Sequence, residues 1–339
     1  MHKRLHNKAD GRELFLFGTV PHTETPGPES AGPGQAAPPH MRWHPLRREW
    51  VGYSGSRNSR TFLPAKSDCP LCPQGAEIPF SDFGIAVFEN RFPALSDAGE
   101  APAFDRIQSM PARGRCEVAV YGPDHDASLS DLGEDRAALL LQVWADRIAD
   151  LKARFGCQHV QPFENRGVEI GVTLHHPHGQ IYGLHFVPPF ILSEMHAMED
   201  GNPVPGLFAL SDLIVADYGP VCLIVPPYAR FPYECWLVPR RAMDGPGDLT
   251  EAERDAMARG LVDAQVRLDG LFGQPMPYVM GVMAAPRLAE GAWHFTIRFQ
   301  PFLRDAGKLK YLAGVEQFMG LMLNDVAPEE AAQKLRAVR

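Results

Sequence analysis

The sequence predicts an α+β fold made of two similar units whose sheets could join. The first unit has strand-like stretches at 116–121 and 179–187, with a helical stretch between them. The second unit repeats this order, with strand-like stretches at 234–238 and 293–299. An order of strand, strand, helix, strand, strand that occurs twice indicates a duplicated unit.

The N-terminal region precedes this repeat. The stretch 13–17 (ELFLF) predicts an edge strand. Residues 21–39 are rich in Pro, Gly, Ser and Ala, which cannot pack a core, so we expect an extended or mobile connection there. From Arg42 onward, short apolar runs are punctuated by Pro and Gly. The expected organisation is an N-terminal strand and extension at 1–41, a first unit at 42–205 and a second unit at 206–339.

Each unit contains one segment with apolar residues at helical spacing. The first segment is 137–155, and Gly156 follows it as a stop signal. The second segment begins with the capping box Thr250-x-x-Glu253 and stops near Gly273. Both segments are long enough to pack across a sheet.

Composition excludes several classes of protein. With 339 residues, 45% hydrophobic and 22% charged, the chain can bury a substantial core. A formal net charge of -8 argues against binding to nucleic-acid backbone. The sequence has no apolar run of membrane-spanning length and no signal-peptide core, so we expect a cytoplasmic protein without a membrane partner. Its six cysteines are too sparse for a disulfide framework.

The strongest chemical signal is the run 174–180 (LHHPHGQ), which leads directly into an alternating strand. Residues two apart in a strand face the same side, so His176, His178 and Gln180 could share one surface. A neutral imidazole, with a pKa of about 6.5, is a good nucleophile toward phosphorus. His178 is therefore the candidate nucleophile, and Gln180 could donate its amide hydrogens to a phosphate oxygen. The alternative is a set of isolated surface histidines near a turn.

A second signal is Cys69-Pro-Leu-Cys72, a C-x-x-C knuckle that lets two thiolates approach one zinc ion. The rival interpretation is a redox motif, but the prolines in and after the knuckle hinder the helix that such a motif needs. Tetrahedral zinc requires two further ligands, and His125 and His176 are the best candidates. Taken alone, His125 could equally be a solvated loop histidine.

Two further groups suit phosphate or ribose. Arg57 and Arg60 place two guanidinium groups close together, and the planar fork of arginine suits phosphate oxygens. As an isolated pair they would more often form a solvated surface. Asn165 lies in the polar run 163–167 (FENRG), just ahead of the histidines, where it could reach a ribose or phosphate; alone, this run would be a turn.

Together these residues resemble the galactose-1-phosphate uridylyltransferases, a branch of the histidine-triad superfamily. The similarity runs from about Arg42 to the C-terminus. The motifs that carry it are 69–72 (CPLC), 87–95 (VFENRFPAL), 123–125 (PDH), 163–167 (FENRG), 176–180 (HPHGQ) and 310–316 (KYLAGVE).

The resemblance implies a duplicated histidine-triad-like unit, with a mainly antiparallel sheet that forms a half-barrel and helices packed on it. It also implies that His178 attacks the α-phosphorus of UDP-glucose and that galactose 1-phosphate then takes the uridylyl group. The alternative within this class is a related nucleotidyltransferase or phosphorylase that uses an ADP-sugar or a dinucleoside polyphosphate. An alternative outside the enzymes is a zinc protein without catalytic activity, but this interpretation would leave His178 and Gln180 without a role.

The resemblance also implies ligands and contacts. Cys69, Cys72, His125 and His176 match the zinc ligands of the family, with one zinc ion per subunit. The positions that match substrate contacts are Arg57, Arg60, Asn90, Phe92, Asn165, Gly171, Thr173 and Gln180 for the nucleotide and phosphates, and Lys310, Tyr311, Val315 and Glu316 for the hexose. In the family the hexose segment comes from the other subunit of a homodimer.

Some family members bind a second metal through late histidines and a glutamate. Here the matching late positions hold Met283, Thr296 and Arg298. Glu194 can align with the carboxylate, but a lone glutamate does not form a site. We therefore predict that the second metal site is absent. Arg91 and Thr173 also replace residues that are more usual in the family.

Overall fold

The structure is a computed structural model that describes residues 1–29, 38–55, 63–97 and 100–338. Its strands are, in chain order, β1 (His2–Asn7), β2 (Glu13–Gly18), β3 (His40–His44), β4 (Glu49–Tyr53), β5 (Ile85–Glu89), β6 (Ser109–Pro111), β7 (Gly114–Val120), β8 (His159–Arg166), β9 (His178–Leu184), β10 (Ile214–Asp217), β11 (Val221–Ile224), β12 (Cys235–Pro239), β13 (Tyr278–Met283), β14 (Thr296–Pro301), β15 (Leu303–Asp305) and β16 (Lys308–Leu309). Its α-helices are α1 (Leu129–Phe155), α2 (Pro189–Glu199), α3 (Glu251–Gly270) and α4 (Pro328–Ala337).

One open antiparallel sheet organises the molecule. Its strand order is β1-β2-β5-β7-β9-β8-β13-β14-β12-β11-β10, and every neighbouring pair is antiparallel. A smaller sheet has the order β4-β3-β6, and β15 pairs with β16. The expected α+β class with a mainly antiparallel sheet is confirmed, and the sheet does not close into a barrel.

The two units join at the pair β8 and β13. Outward from this junction the first unit reads β8, β9, β7, β5, and the second reads β13, β14, β12, β11. The register is equivalent as well: Phe163 pairs with Gln180 in the first unit, and Gly281 pairs with Arg298 in the second. Phe163 and Gly281 also pair with each other across the junction. The duplicated unit with joined sheets therefore exists as a single continuous sheet.

Both long helices pack on one face of this sheet. Helix α1 contacts α3 and the strands of the first unit, and α3 contacts β11 and β12. The main core lies between them and includes Trp144 of α1, Leu261 of α3, Ile181 of β9 and Ile297 of β14. Because strand side chains alternate, the neighbours of Ile181 on β9 face the opposite side. The helices thus leave that side open for the functional site.

Three details differ from the sequence prediction. Strand β2 is not at the edge, because β1 pairs outside it and β5 pairs inside it. The polar sequence of β1 tolerates the solvent at the edge. Helix α1 begins at Leu129 rather than at 137, behind the N-cap Ser128, and the left-handed backbone at Gly133 interrupts its periodicity. Helices α2 and α4 were not predicted, because both are short.

Two of the predicted helix ends are confirmed. Gly156 is in the left-handed conformation directly after α1, where glycine avoids the steric cost of a Cβ atom. Thr250 caps α3 and forms the expected box with Glu253, because each side chain accepts the backbone N–H of the other residue. No helix within the described ranges is both long and apolar enough to cross a membrane.

Candidate functional site

Four predicted ligands meet in one cluster beside the sheet. The ligand atoms of Cys69, Cys72, His125 and His176 all lie within 4.8 Å of one another. The Nδ1 atoms of His125 and His176 are 3.3 Å and 3.5 Å from Sγ of Cys72. A tetrahedral zinc ion with bonds of about 2.0–2.3 Å requires ligand separations of about 3.3–3.8 Å. Both distances from Cys72 fall in this range, and Sγ of Cys69 lies 4.0 Å from Nδ1 of His176, slightly beyond it. This Cys2His2 group could hold a metal ion.

The protonation states of Cys72 and His176 are also compatible with a bound cation. Burial and the neighbouring Cys69 raise the pKa of the Cys72 thiol to about 11. A thiolate at neutral pH therefore needs a positive partner at close range. Nε2 of His176 lies 2.8 Å from the carbonyl oxygen of Gly122, which can only accept, so this nitrogen carries the hydrogen. Nδ1 of His176 is left with its lone pair directed at the cluster.

His178 is oriented by the residue that joins it to this cluster. Its Nδ1 lies 2.7 Å from the carbonyl oxygen of His176, so Nδ1 carries the hydrogen and donates it. Nε2 then keeps a free lone pair in the neutral ring. Burial lowers the pKa of His178 below its ordinary value, although the hydrogen bond to His176 opposes this. The neutral, nucleophilic form is therefore favoured.

Several cavities adjoin this imidazole, among them a larger one of about 550 Å³ and a smaller one of about 110 Å³. His178 also lines a third of about 210 Å³, together with His175 and His176. Thr173, His178 and Gln180 line both the larger and the smaller cavity. The larger cavity also contains Asn165 and Gly171, and the smaller contains Asn90 and Phe92. The fold thus brings seven of the residues predicted from the sequence into one connected site.

Gly179 lies between His178 and Gln180, the two predicted catalytic residues. It packs closely against Tyr121 and the backbone of Phe163. A Cβ atom at this position would lie 2.5 Å from Oη of Tyr121 and 2.9 Å from the carbonyl oxygen of Phe163. Tyr121 is held in place, because its hydroxyl donates to buried Glu164 at 3.1 Å. The other oxygen of Glu164 accepts from Tyr278, also at 3.1 Å. This network ties β9 to the junction of the two units.

Of the remaining predicted substrate residues, Arg57 and Arg60 are outside the described residues. The others lie away from the two cavities. Lys310 and Glu316 form a buried ion pair, with Nζ and Oε1 2.5 Å apart. Tyr311 is 73% exposed. Together with Val315, these residues line neither cavity of their own chain.

The late positions of the second unit form an ion pair. Both terminal nitrogens of Arg298 donate to the carboxylate of Glu194, at 2.6 Å and 2.9 Å. Nε of Arg298 donates to the hydroxyl of Thr296 at 2.9 Å. The guanidinium also lies 4.1 Å from the ring of Trp236. The Glu194 carboxylate thus already has a positive partner.

The register shows how the second unit differs from the first. Arg298 occupies the position equivalent to Gln180, and Thr296 therefore occupies the position equivalent to His178. His294 corresponds to His176, and its Nε2 likewise lies 2.8 Å from a backbone carbonyl, that of Pro239. The second unit therefore has an equivalent buried histidine, but it has threonine at the position equivalent to the predicted nucleophile.

Sequence reasoning missed part of the smaller cavity. Glu77 and Arg91 line it, and they form an ion pair with Nε and Oε1 3.1 Å apart. The sequence analysis noted Arg91 only as a departure from the family. Its position between Asn90 and Phe92 could have indicated that it lines the same cavity. Glu77 lies in an irregular segment with no pattern around it, so the sequence provided no comparable signal.

Fold and site together define a duplicated histidine-triad-like protein in which, among the described residues, the first unit has a histidine at the predicted nucleophile position and the second has a threonine. The N-terminal domain of galactose-1-phosphate uridyl transferase matches residues 30–188, and its C-terminal domain matches residues 210–339. The chain belongs to the galactose-1-phosphate uridylyltransferase family.

Individual relatives agree with this assignment. The galactose-1-phosphate uridylyltransferase of Thermotoga maritima is 35% identical, over 87% of this chain and 97% of that protein. The enzyme of the same name from Streptomyces lividans is 32% identical, over 97% of this chain and 96% of its own length. A solved uridylyltransferase structure matches with a TM-score of 0.79 and 28% identity, covering 88% of this chain and 98% of that one. An ADP-glucose phosphorylase from Arabidopsis thaliana, at 22% identity and a TM-score of 0.69 over 89% of this chain and 99% of that chain, shares the fold.

Proposed function

We propose that this protein transfers UMP from UDP-glucose to galactose 1-phosphate through a covalent uridylyl group on His178. The observation that carries the proposal is the position of this ring. Its Nδ1 donates to the carbonyl of His176, and the ring lies where the two cavities meet. The names of the relatives from Thermotoga maritima and Streptomyces lividans support the transfer of a uridylyl group to galactose 1-phosphate.

In the first step Nε2 of His178 attacks the α-phosphorus of UDP-glucose. A nitrogen–phosphorus bond forms as the bond to the oxygen of glucose 1-phosphate breaks, and glucose 1-phosphate leaves. The ring then carries a positive charge, which its Nδ1–H shares with the carbonyl oxygen of His176. Gln180, in both cavities, can donate its amide hydrogens to a non-bridging phosphate oxygen. In the second step an oxygen of galactose 1-phosphate takes the uridylyl group and frees the ring.

The two cavities suit the two parts of the donor. The smaller one is walled by Phe88, Phe92 and Leu174, which suit a planar base. The larger one contains Asn165 and the polar loop around Gly171, which suit a hexose phosphate. With this arrangement the nucleoside stays in the smaller cavity while the sugar phosphates exchange in the larger one.

We propose that the Cys2His2 group holds one zinc ion per chain. With four protein ligands, a tetrahedral zinc ion has no open position for water, so its role is structural. It would fix His176, whose carbonyl orients His178 only two residues further on. Elemental analysis is expected to find about one tightly bound zinc per chain. A value of about two would contradict the predicted absence of a second metal site at Glu194 and Arg298.

We also propose a homodimer in which the segment 310–323 of one subunit reaches the larger cavity of the other. This segment exposes large apolar side chains: Tyr311, Phe318, Met319 and Leu321 are 73%, 85%, 75% and 55% exposed. Exposed apolar patches of this kind are typical of interaction surfaces.

The free state of all six cysteines supports a reducing compartment such as the cytoplasm.

Intact-mass analysis tests the central proposal. After mixing with UDP-glucose, the wild-type chain is expected to gain the mass of one uridylyl group, and galactose 1-phosphate is expected to remove it. His178→Ala should not gain this mass but should keep its metal. The matched control is His185→Ala, because His185 directly follows β9, is exposed and lines none of the cavities at His178.

The outcomes discriminate between the functions considered. Labelling by ADP-glucose but not UDP-glucose would move the assignment to a nucleotidyltransferase that uses adenine nucleotides. Equal labelling of wild type and His178→Ala would refute the role of His178. A wild-type chain that binds zinc but is labelled by neither donor would favour a non-enzymatic zinc protein.

A further inference from the structure

Behind the smaller cavity, one carboxylate pairs with three cations. Oε2 of Glu77 lies 2.7 Å from Nζ of Lys8 and 2.8 Å from Nη2 of Arg12. Oε1 of Glu77 lies 3.1 Å from Nε of Arg91. Glu77 and Arg91 line the cavity, whereas Lys8 and Arg12 approach from the β1–β2 hairpin and are not part of the lining.

This cluster is largely buried, and two of its three cations also hold backbone carbonyls. The side chains of Lys8 and Glu77 are only 1% and 7% exposed. Lys8 also donates to the backbone carbonyl of Glu77 at 3.0 Å, and Arg12 donates to the carbonyl of Glu89 at 2.8 Å. Burial lowers the pKa of Lys8, and Glu77 opposes this shift. Buried ion pairs add little net stability compared with apolar side chains of the same size, so stability alone does not account for this one.

The cluster connects the N-terminal hairpin to the cavity wall. Arg12 holds Glu89, the last residue of β5, and the next residues along the chain are Asn90 and Arg91. Glu77 holds the side chain of Arg91 from the other side. The match to the N-terminal domain of the family begins at residue 30, so the hairpin lies outside the matched region. The cavity wall therefore depends on a part of the chain that precedes this domain.

We propose that Lys8, Arg12 and Glu77 are positioning residues for nucleotide recognition, which hold Arg91 on the wall of the smaller cavity where the base of a uridine nucleotide binds. This inference rests on the proposed function, because it places the nucleoside in the smaller cavity. Uracil presents carbonyl oxygens, which a guanidinium group recognises well, whereas adenine has none. A fixed Arg91 thus favours uridine over adenosine nucleotides.

The test compares UMP affinity, measured by calorimetry, in three variants of the full chain. Lys8→Met leaves Glu77 with one cation fewer and is expected to lower the thermal midpoint. The double variant Lys8→Met/Glu77→Gln removes both charges at nearly constant volume, but Arg12 and Arg91 then lose their shared carboxylate, so the midpoint should not recover. Its affinity for UMP should fall by about tenfold or more, since Arg91 has lost its partner. Its affinity for glucose 1-phosphate, which we place in the larger cavity, should not change.

Lys3→Met is the matched control. Lys3 belongs to the same hairpin, in β1, and ties it to the rest of the protein through Asp146 at 2.6 Å, but it does not contact the Glu77 cluster. It should lower stability without affecting UMP binding. The inference is overturned if the double variant binds UMP as wild type does, if Lys3→Met weakens UMP equally, or if both ligands weaken together. A wild-type chain that binds AMP but not UMP would overturn both the proposed function and the base preference.

Discussion

Replacement of Gly179 by alanine is expected to reduce transfer activity by about 100-fold while the protein still folds. The added Cβ atom would lie 2.5 Å from Oη of Tyr121 and 2.9 Å from the carbonyl oxygen of Phe163. Favourable contacts between carbon atoms are at about 3.5–4.0 Å, so the catalytic strand or its neighbours must move by about 1 Å. Overpacking of this kind costs about 1–3 kcal/mol of stability.

The loss of activity follows from the neighbours of Gly179. His178 and Gln180 flank it and line both cavities, so a shift of the backbone moves the nucleophile and the amide donor together. A misplacement of about 1 Å costs about 100-fold in rate. Tyr121 cannot move away freely, because its hydroxyl donates to buried Glu164. The strain is therefore expected to fall mainly on the catalytic strand.

The assay measures kcat/KM for transfer from UDP-glucose to galactose 1-phosphate, together with the thermal midpoint. Gly281→Ala is the matched control, since this glycine also lies in the main sheet and its Cβ atom would meet its nearest neighbours at 3.6 Å. Addition of Tyr121→Phe to Gly179→Ala removes the closest contact and should restore part of the activity. If Gly179→Ala is as active as Gly281→Ala, the steric reasoning is refuted.

Three other perturbations have defined outcomes. Cys72→Ser should lose metal and stability together, whereas Cys222→Ser, a buried cysteine outside the Cys2His2 group, should keep the metal; elemental analysis distinguishes them. Arg147→Met should cost about 3–5 kcal/mol in urea unfolding, because it removes the bidentate partner of buried Glu117, and adding Glu117→Gln should reduce that cost. Burial lowers the pKa of His159 from 6.5 to about 4. As the pH falls from 6.5 to about 4, His159 is protonated in the unfolded chain before it is protonated in the folded chain. The free energy of unfolding should therefore decrease by about 3 kcal/mol over this range, and His159→Gln should lack this decrease.

The sequence alone predicted candidate chemistry where it depends on neighbouring residues. The run from His176 to Gln180 predicted a nucleophile, a zinc ligand and an amide donor. Of the three, His178 and Gln180 share a face of β9, which begins at His178, whereas His176 precedes the strand. The capping box at Thr250 and the stop at Gly156 were likewise readable, since a helix end depends on a few local residues.

Only the tertiary structure decided which distant residues meet. Strand pairing brings Asn90 and Phe92 into the same cavity as His178, and no local pattern encodes this contact. Glu77 lies in an irregular segment, and its partners Lys8 and Arg12 come from a hairpin about 70 residues earlier. The physical reason is that backbone propensity and side-chain periodicity act over a few residues, whereas the energy of an ion pair or a cavity depends on groups brought together by the whole fold.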